Sequence, residues 1–508
     1  MPQHQLLFWL TASWGLLFVV AFGAICGSFI NVIVYRVPRG LNIVTPPSAC
    51  PACGTRLSWR ENIPVLGWIK LRGRCRFCRS PISPEYPLVE FVVAALFGLI
   101  YAAWFMRPSV LWLLGVPVEQ LTPEWAQAGL VRMWPTLLLI YLLLGSLVAI
   151  TLIDARTFTI PIIIPWIVTG TAFVLHPLHA LIISQTRWGG LRASPFDWAI
   201  WTPPDGPSPW TGALGGSIGA TIGIAVGVLL LHWRIIPRSF ADYPEWESKA
   251  QADMKAEEAR RAAAGDPPQD PRAADLPFRV IMLRTMLLTG PALALMFAGF
   301  AVGVRLGVPL RGTFGGMAIG LLIGVFLRRL APDNVASNEP MWVQYPHARR
   351  EVLKEVLFLL PCAGLGWLGW WLTGPTGPLA ATASPLWLKA LSGSLMGYLI
   401  GGGLVWAIRI VGTLGFGKEA MGQGDVHLMA AVGAVTGWID PVLAFFTAPF
   451  FGITWALLGA ILGRLLGRAG TALPYGPHLA IATVVVLVGK PAYEWALSQL
   501  VGGPVNLP

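Results

Sequence analysis

Four cysteines and two aspartates have the types and spacing to do chemistry in this sequence. Cys50-Pro-Ala-Cys53 and Cys75-Arg-Phe-Cys78 form two C-x2-C knuckles about 21 residues apart. Such a pair can bring four sulfurs to the corners of a tetrahedron about 2.3 Å from Zn²⁺. Gly54 and Gly73 flank the knuckles, where tight turns aim successive thiolates inward. Zinc suits four soft thiolates, and a filled four-thiolate shell leaves no open position for a substrate, so the expected role is structural. Two disulfides are the rival reading, disfavoured if this loop faces the reducing cytoplasm. Four unliganded cysteines are the blandest reading and fit the spacing poorly. Cys26 and Cys362 lie in apolar stretches and read as packing residues.

The aspartates sit where apolar runs end. Asp154 closes the run Leu139 to Ile153, shortly before Ile160-Pro161, and Asp425 follows Gly422-Gln423-Gly424 just ahead of Leu428 to Ala434. An ionisable residue within or at the end of a membrane span is costly and is a functional candidate by default. Two carboxylates sharing one proton could run peptide hydrolysis, one activating water while its protonated partner polarises the carbonyl. Glycines ahead of Asp425 would let backbone approach a bound peptide. A lone Asp at a helix end is most often only an interfacial residue, and Asp333 and Asp440 also lie near span ends. Spacing alone leaves the pair open.

The elements that must position these residues are membrane helices. Of 508 residues, 55% are hydrophobic and 12% charged, about half the charge of an ordinary soluble domain. Apolar runs of the roughly 20 residues needed to cross a bilayer recur along the chain. They fall near 7–35, 87–106, 135–154, 161–183, 212–235, 280–306, 313–330, 353–373, 386–411, 427–438, 441–466 and 476–499. The expected fold is all-α, a polytopic transmembrane helical bundle of about 10–12 spans with a small cytoplasmic zinc-binding loop built on the four cysteines. The run at 427–438 is short for a crossing and suits either a half-helix lining a site or a bent hairpin formed with its neighbours. The first run, Leu6 to Val37, is too long for a signal-peptide core and reads as a retained helix.

Net charge is +11. In a membrane protein such an excess reflects basic cytoplasmic loops facing anionic lipid, so the bilayer and not nucleic acid is the expected partner. Arg36, Arg39, Arg56, Arg60, Lys70, Arg72, Arg74, Arg76 and Arg79 crowd the loop after the first run, against Glu61 alone. This loop is expected inside, and alternation then brings Asp154 and the Gly417–Asp425 stretch to the same face. The expected segments are a first helix at 1–37, the zinc loop at 38–86 and helices carrying the first aspartate at 87–235. A charged insert at 236–279, further helices at 280–411 and the Gly-x-Gly-Asp region at 412–508 follow. Hydrophilic stretches at 184–211, 237–278 and 331–352 interrupt the apolar pattern, and no internal repeat stands out.

The order of features resembles the bacterial type IV prepilin peptidases, a family of GxGD aspartyl proteases. The matching pieces are Gly27-Ser28-Phe29-Ile30-Asn31-Val32 with Tyr35-Arg36-Val37-Pro38, both Cys knuckles, and between them Trp59 to Pro64 and Leu71 to Cys75. Ile82 to Glu90, Ile153-Asp154, Gly422-Gln423-Gly424-Asp425 and Pro474-Tyr475-Gly476-Pro477 complete the series. The resemblance implies that Asp154 and Asp425 are the catalytic pair, with Gly422 and Gly424 as supporting motif, and that Cys50, Cys53, Cys75 and Cys78 hold the metal. It implies cleavage after the Gly ending a basic leader of a prepilin or pseudopilin precursor, at the cytoplasmic face of a bacterial inner membrane. Many members also methylate the new amino terminus from S-adenosylmethionine, and Gly73 and Arg74 match the Gly-basic pair associated with that reaction. Two positions depart from the pattern. Ile162 follows Pro161 where an acid or amide is usual, and His427 stands where Lys is usual. His427 could keep a tunable positive charge near Asp425 or be an interfacial residue. Residues 184–408 lie outside close motif matching. The competing functions are a GxGD protease with non-pilin substrates, a catalytically inactive scaffold that kept the zinc loop, and a transporter with broken helices.

Overall fold

The unbroken apolar sequence Gln3–Arg36 forms helix α1, 34 residues long, or about 51 Å at 1.5 Å per residue. A computed structural model describes residues 3–106, 112–113, 116–117, 122–185, 200–204, 208–264, 347–380, 384–416, 419–466 and 474–501. Scattered positions between 291 and 327 and beyond 501 are also described. After α1 come α2 (Leu66–Lys70), α3 (Glu85–Tyr101), α4 (Leu130–Thr157), α5 (Ile163–Gln185), α6 (Ala213–His232) and α7 (Tyr243–Ala264). They are followed by α8 (Ala348–Thr373), α9 (Leu386–Phe416), α10 (Gln423–Thr436), α11 (Ile439–Leu466), α12 (Tyr475–Val488) and α13 (Lys490–Val501). Among the described residues the only strands are a two-residue antiparallel pair, Trp112–Leu113 with Val116–Pro117.

The all-α membrane class expected from composition holds. Eight described helices are long and apolar enough to cross a bilayer, or nine if α12 and α13, bent by 83°, count as one broken span. The expected spans at 280–306 and 313–330 lie largely outside the described residues, as do 186–199, 265–278 and 331–346 of the hydrophilic stretches. Large apolar side chains such as Trp14, Phe18 and Trp166 point outward, the arrangement a lipid surrounding favours.

By internal contacts the chain forms two units. The first comprises Met1–Thr221, Leu365–Val405 and Gln423–Pro508; the second comprises Ile222–Gly364 and Trp406–Gly422. In the first unit α1 lies against α3 through glycines. A Cβ at Gly27 would come 2.6 Å from the Glu90 Cα, and one at Gly23 2.9 Å from the Ala94 Cα. The helix that carries Asp425, α10, is the centre of this unit. Its 14 residues span only about 21 Å, too short for a comfortable crossing. It is instead buried along nearly its whole length, from Val426 and Leu428 through Thr436. It packs on α4, α5, α11 and α12, and on α9 where Gly397 and Gly433 bring two backbones together. Small residues on all sides allow a helix to be wrapped by helices at this distance. Ser394 Oγ also donates to the Ala434 carbonyl at 2.6 Å.

The second unit contains α7 and parts of α6, α8 and α9. The charged insert contains helix α7. Buried acids and one buried arginine occupy the interior of this unit: Glu351, Glu355 and Arg409.

Candidate active site and metal centre

The zinc-loop residues are held by two turns of the same design. In the first, Cys50 N–H donates to the Thr55 carbonyl at 2.9 Å and Gly54 N–H to the Cys50 carbonyl at 2.8 Å. In the second, Cys75 N–H donates to Ser80 at 2.9 Å and Arg79 N–H to Cys75 at 3.1 Å. Each needs a left-handed residue at its fourth step, and Gly54 (φ 68°) and Arg79 (φ 62°) supply it. The sulfurs of Cys50, Cys53, Cys75 and Cys78 all lie within 4.8 Å of one another, and Cys50 and Cys78 are 3.8 Å apart. A tetrahedron with bonds of about 2.3 Å has edges of about 3.8 Å, so the four fit a metal ion. Backbone N–H groups of Cys53 and Ala52 hold the Cys50 thiol down to about 6, which favours the ligating thiolate.

Two acids fasten this loop. Glu90 of α3 accepts the Val65 N–H at 2.6 Å, and Glu61 receives Ser58 N–H at 2.8 Å and Arg76 at 3.3 Å. Gly73 has φ 67°, and a Cβ there would stand 2.9 Å from the Trp68 ring. Its N–H donates to Trp68 at 3.0 Å and its carbonyl accepts Ile82 N–H at 2.7 Å. The Gly73 turn therefore feeds the chain into Cys75, while the Arg74 side chain is exposed.

The aspartates come from opposite helix ends. Asp154 lies in the last turn of α4, which terminates at the left-handed Phe158 (φ 53°). Asp425 lies in the first turn of α10, where the helix dipole favours a carboxylate. Both are buried, at 4% and 9% exposure. Asp154 lies against the start of α12, where it accepts the Gly476 backbone N–H; Asp425 follows Gly424, which has Ile160 as a neighbour in common with Gly476. Ile160, in the turn after α4, is wedged between two glycines. A Cβ at Gly424 would come 2.6 Å from its Cβ, and one at Gly476 3.2 Å from its Cδ1. Arg156, two residues past Asp154, pairs with Glu85 at the start of α3. The cysteine loop ends at that point, so it emerges on the face where Asp154 lies.

His427 is half-buried and meets the Trp166 ring at 6.1 Å in an edge arrangement. Gly422 is exposed at the end of the second unit. Asp440, the described acid that sequence could not separate from the pair, lies past the far end of α10 from Asp425. It is buried against Lys490 at 3.4 Å, a pairing that accounts for it structurally. Asp333 lies outside the described residues. What sequence reasoning left as a motif match only is the Tyr475-Gly476 turn, whose place beside Asp154 depends on how α12 packs.

Two family models match the chain: the bacterial peptidase A24 N-terminal domain over residues 21–104 and the type IV leader peptidase family over residues 347–457. The first includes all four cysteines and the second includes Asp425; Asp154 falls between them. Prepilin leader peptidase/N-methyltransferases are among the similar proteins. That of Myxococcus xanthus is 52% identical over 80 residues, 16% of this chain and 24% of the relative. That of Klebsiella pneumoniae is 45% identical over 103 residues (19% and 44%), and that of Dickeya chrysanthemi 34% over 169 (29% and 50%). The matched stretches thus span half or less of these relatives. No solved structure matches. The chain is therefore similar to prepilin leader peptidase/N-methyltransferases over part of its length, with one region matching the A24 N-terminal domain and another the type IV leader peptidase family.

Proposed function

We propose that this protein is a membrane aspartyl endopeptidase that removes the basic leader from prepilin or pseudopilin precursors after a Gly. The reading is supported by two buried aspartates at helix ends, Asp154 on the Gly476 N–H and Asp425 next to Gly424, with Ile160 against both glycines and Arg156 tying the end of the cysteine loop to the Asp154 turn. The two carboxylates share one proton. The ionised one takes a proton from water as the oxygen adds to the scissile carbonyl carbon. The protonated one donates a hydrogen bond to the carbonyl oxygen, and collapse of the tetrahedral intermediate passes a proton to the leaving amine. Gly424 and Gly476 keep side-chain bulk out of this space.

The positive-inside rule supports the substrate class. A basic leader stays at the cytoplasmic face of the inner membrane while the pilin's apolar segment remains in the bilayer. This places the scissile bond at the level proposed for the pair. Zinc held by Cys50, Cys53, Cys75 and Cys78 has a structural role, fixing the loop that Glu90 ties to α3.

Methylation of the new amino terminus from S-adenosylmethionine is the second proposed reaction, supported by the similarity to prepilin leader peptidase/N-methyltransferases. The residues fit that cofactor in part. Arg74 offers an exposed guanidinium suited to a carboxylate, whereas both backbone groups of Gly73 are engaged within the loop. Methyl transfer is therefore assigned to the loop region as a whole.

The test is co-expression with a tagged prepilin, following leader loss by intact mass at matched membrane levels. Wild type is expected to remove the leader, and Asp154→Asn and Asp425→Asn each to lose at least about 10³-fold. A further methyl mass on the product reports the second reaction. Cleavage by either Asn variant at the wild-type rate removes the dyad.

A further inference from the structure

We propose that Arg409 is a positioning residue that fixes the segment leading into the Asp425 helix; this rests on the peptidase reading above. Arg409 lies on α9, in a candidate membrane span, at 1% exposure. A buried guanidinium at this depth is costly unless its donors are matched, and here all three nitrogens are used. Nε reaches the two Glu355 oxygens at 3.2 and 3.3 Å, and Nη2 reaches Oε1 at 3.1 Å. Nη1 points the other way, to the Glu419 carboxylate and the Met421 carbonyl.

Glu355 is itself locked, accepting the Trp406 indole N–H at 2.6 Å, and the Phe240 ring lies 5.2 Å from the guanidinium carbon. One face of the fork is therefore anchored in the unit's interior, and the other grips the chain. The residue between the two gripped positions is held as well. Ala420 N–H donates to Thr413 Oγ1 at 3.2 Å, and a Cβ at Gly412 would come 2.6 Å from the Ala420 Cβ. Three successive residues, 419 to 421, are thus fixed to α9. Only Gly422, Gln423 and Gly424 separate them from Asp425.

Helix α10 begins at Gln423, so Gly422, an intrinsically loose residue, is the one link between the gripped segment and the first turn that carries Asp425. How firmly residues 419–421 are held bears directly on that turn. Two carboxylates around one guanidinium carry a net charge of −1. Packing alone would be served better by apolar residues; the arrangement makes sense where a carbonyl and a carboxylate of one segment must be gripped together. A planar fork can do this and an ammonium cannot.

The experiment compares wild type, Arg409→Lys and the charge-neutral triple variant Arg409→Met, Glu355→Gln, Glu419→Gln. The triple variant leaves no uncompensated buried charge, so it tests the idea if the single variant fails to fold. Hydrogen–deuterium exchange of the purified full chain is read for the peptide holding residues 419–425, beside prepilin cleavage kinetics. Exchange at 419–425 is expected to rise at least about tenfold without change in α4 or α12. Cleavage kcat should fall at least about tenfold with KM within about twofold of wild type. Unchanged exchange at 419–425 in the folded variants overturns the proposal whatever the cleavage result. Faster exchange with wild-type kcat overturns it too, since the segment would then be held for stability alone. If wild type cleaves no prepilin, the peptidase reading fails, and the exchange result alone decides whether Arg409 holds the segment.

Discussion

Replacing Gly476 by alanine separates the chemistry of the site from the stability of the helix that bears it. The backbone at Gly476 is outside the left-handed region, so alanine is compatible with α12 and improves helix propensity by up to about 1 kcal/mol. The new Cβ would nonetheless stand 2.5 Å from Asp154 Oδ2, whereas ordinary contact begins at 3.4 Å. The carboxylate must therefore retreat by about 0.9 Å and lose the Gly476 N–H. A displacement near 1 Å in a catalytic group costs roughly 100-fold in rate, or about 2.7 kcal/mol of transition-state stabilisation. The assay is the initial rate of leader removal by purified enzyme in detergent, read by intact mass, with thermal unfolding of the same preparation alongside. The expected result is a kcat lowered about 100-fold with a melting temperature equal to or above wild type. A variant that cleaves within about twofold of wild type would refute the placement of Asp154 against this turn.

Two further outcomes concern the metal loop. Cys53→Ser or Cys75→Ser should lower bound zinc, measured by plasma mass spectrometry, from about one per chain to near zero, and expose residues 41–80 to limited proteolysis. Zinc content unchanged by either substitution would place the metal elsewhere. Gly54→Ala should destabilise the first knuckle by about 1–2 kcal/mol because its φ of 68° disfavours a Cβ. Arg79→Gly, at the equivalent step of the second knuckle, should relieve a cost of that kind. Chelator concentrations for half-release of zinc should therefore shift in opposite directions, and a shift in the same direction would contradict the equivalence of the two turns.

Much of this protein is set by signals that act within a few residues. The C-x2-C pairs predict a four-sulfur cluster because each knuckle is a local turn, and the two turns are built alike in the structure. Apolar runs predict α1, α3, α4, α5, α6, α8 and α9 because satisfying backbone groups in lipid leaves a helix as the local solution. The short run ahead of residue 438 reads correctly as something other than a full crossing, and α10 is that element. The sequence also places Asp154 and Asp425 at helix ends.

What it leaves undecided is which ends meet, because that depends on the packing of helices hundreds of residues apart. Asp440 and Asp425 look alike in sequence, each beside an end of one apolar segment. Tertiary packing pairs Asp440 with Lys490 and sets Gly424, beside Asp425, and Gly476, whose N–H Asp154 accepts, against the same Ile160 side chain. The same holds for Arg409, one basic residue in an apolar run until α8 brings Glu355 against it. A side chain's type and its distance along the chain limit what chemistry is available. The close approach of glycine-lined helices decides which groups lose water together, and hence which of them can share a proton.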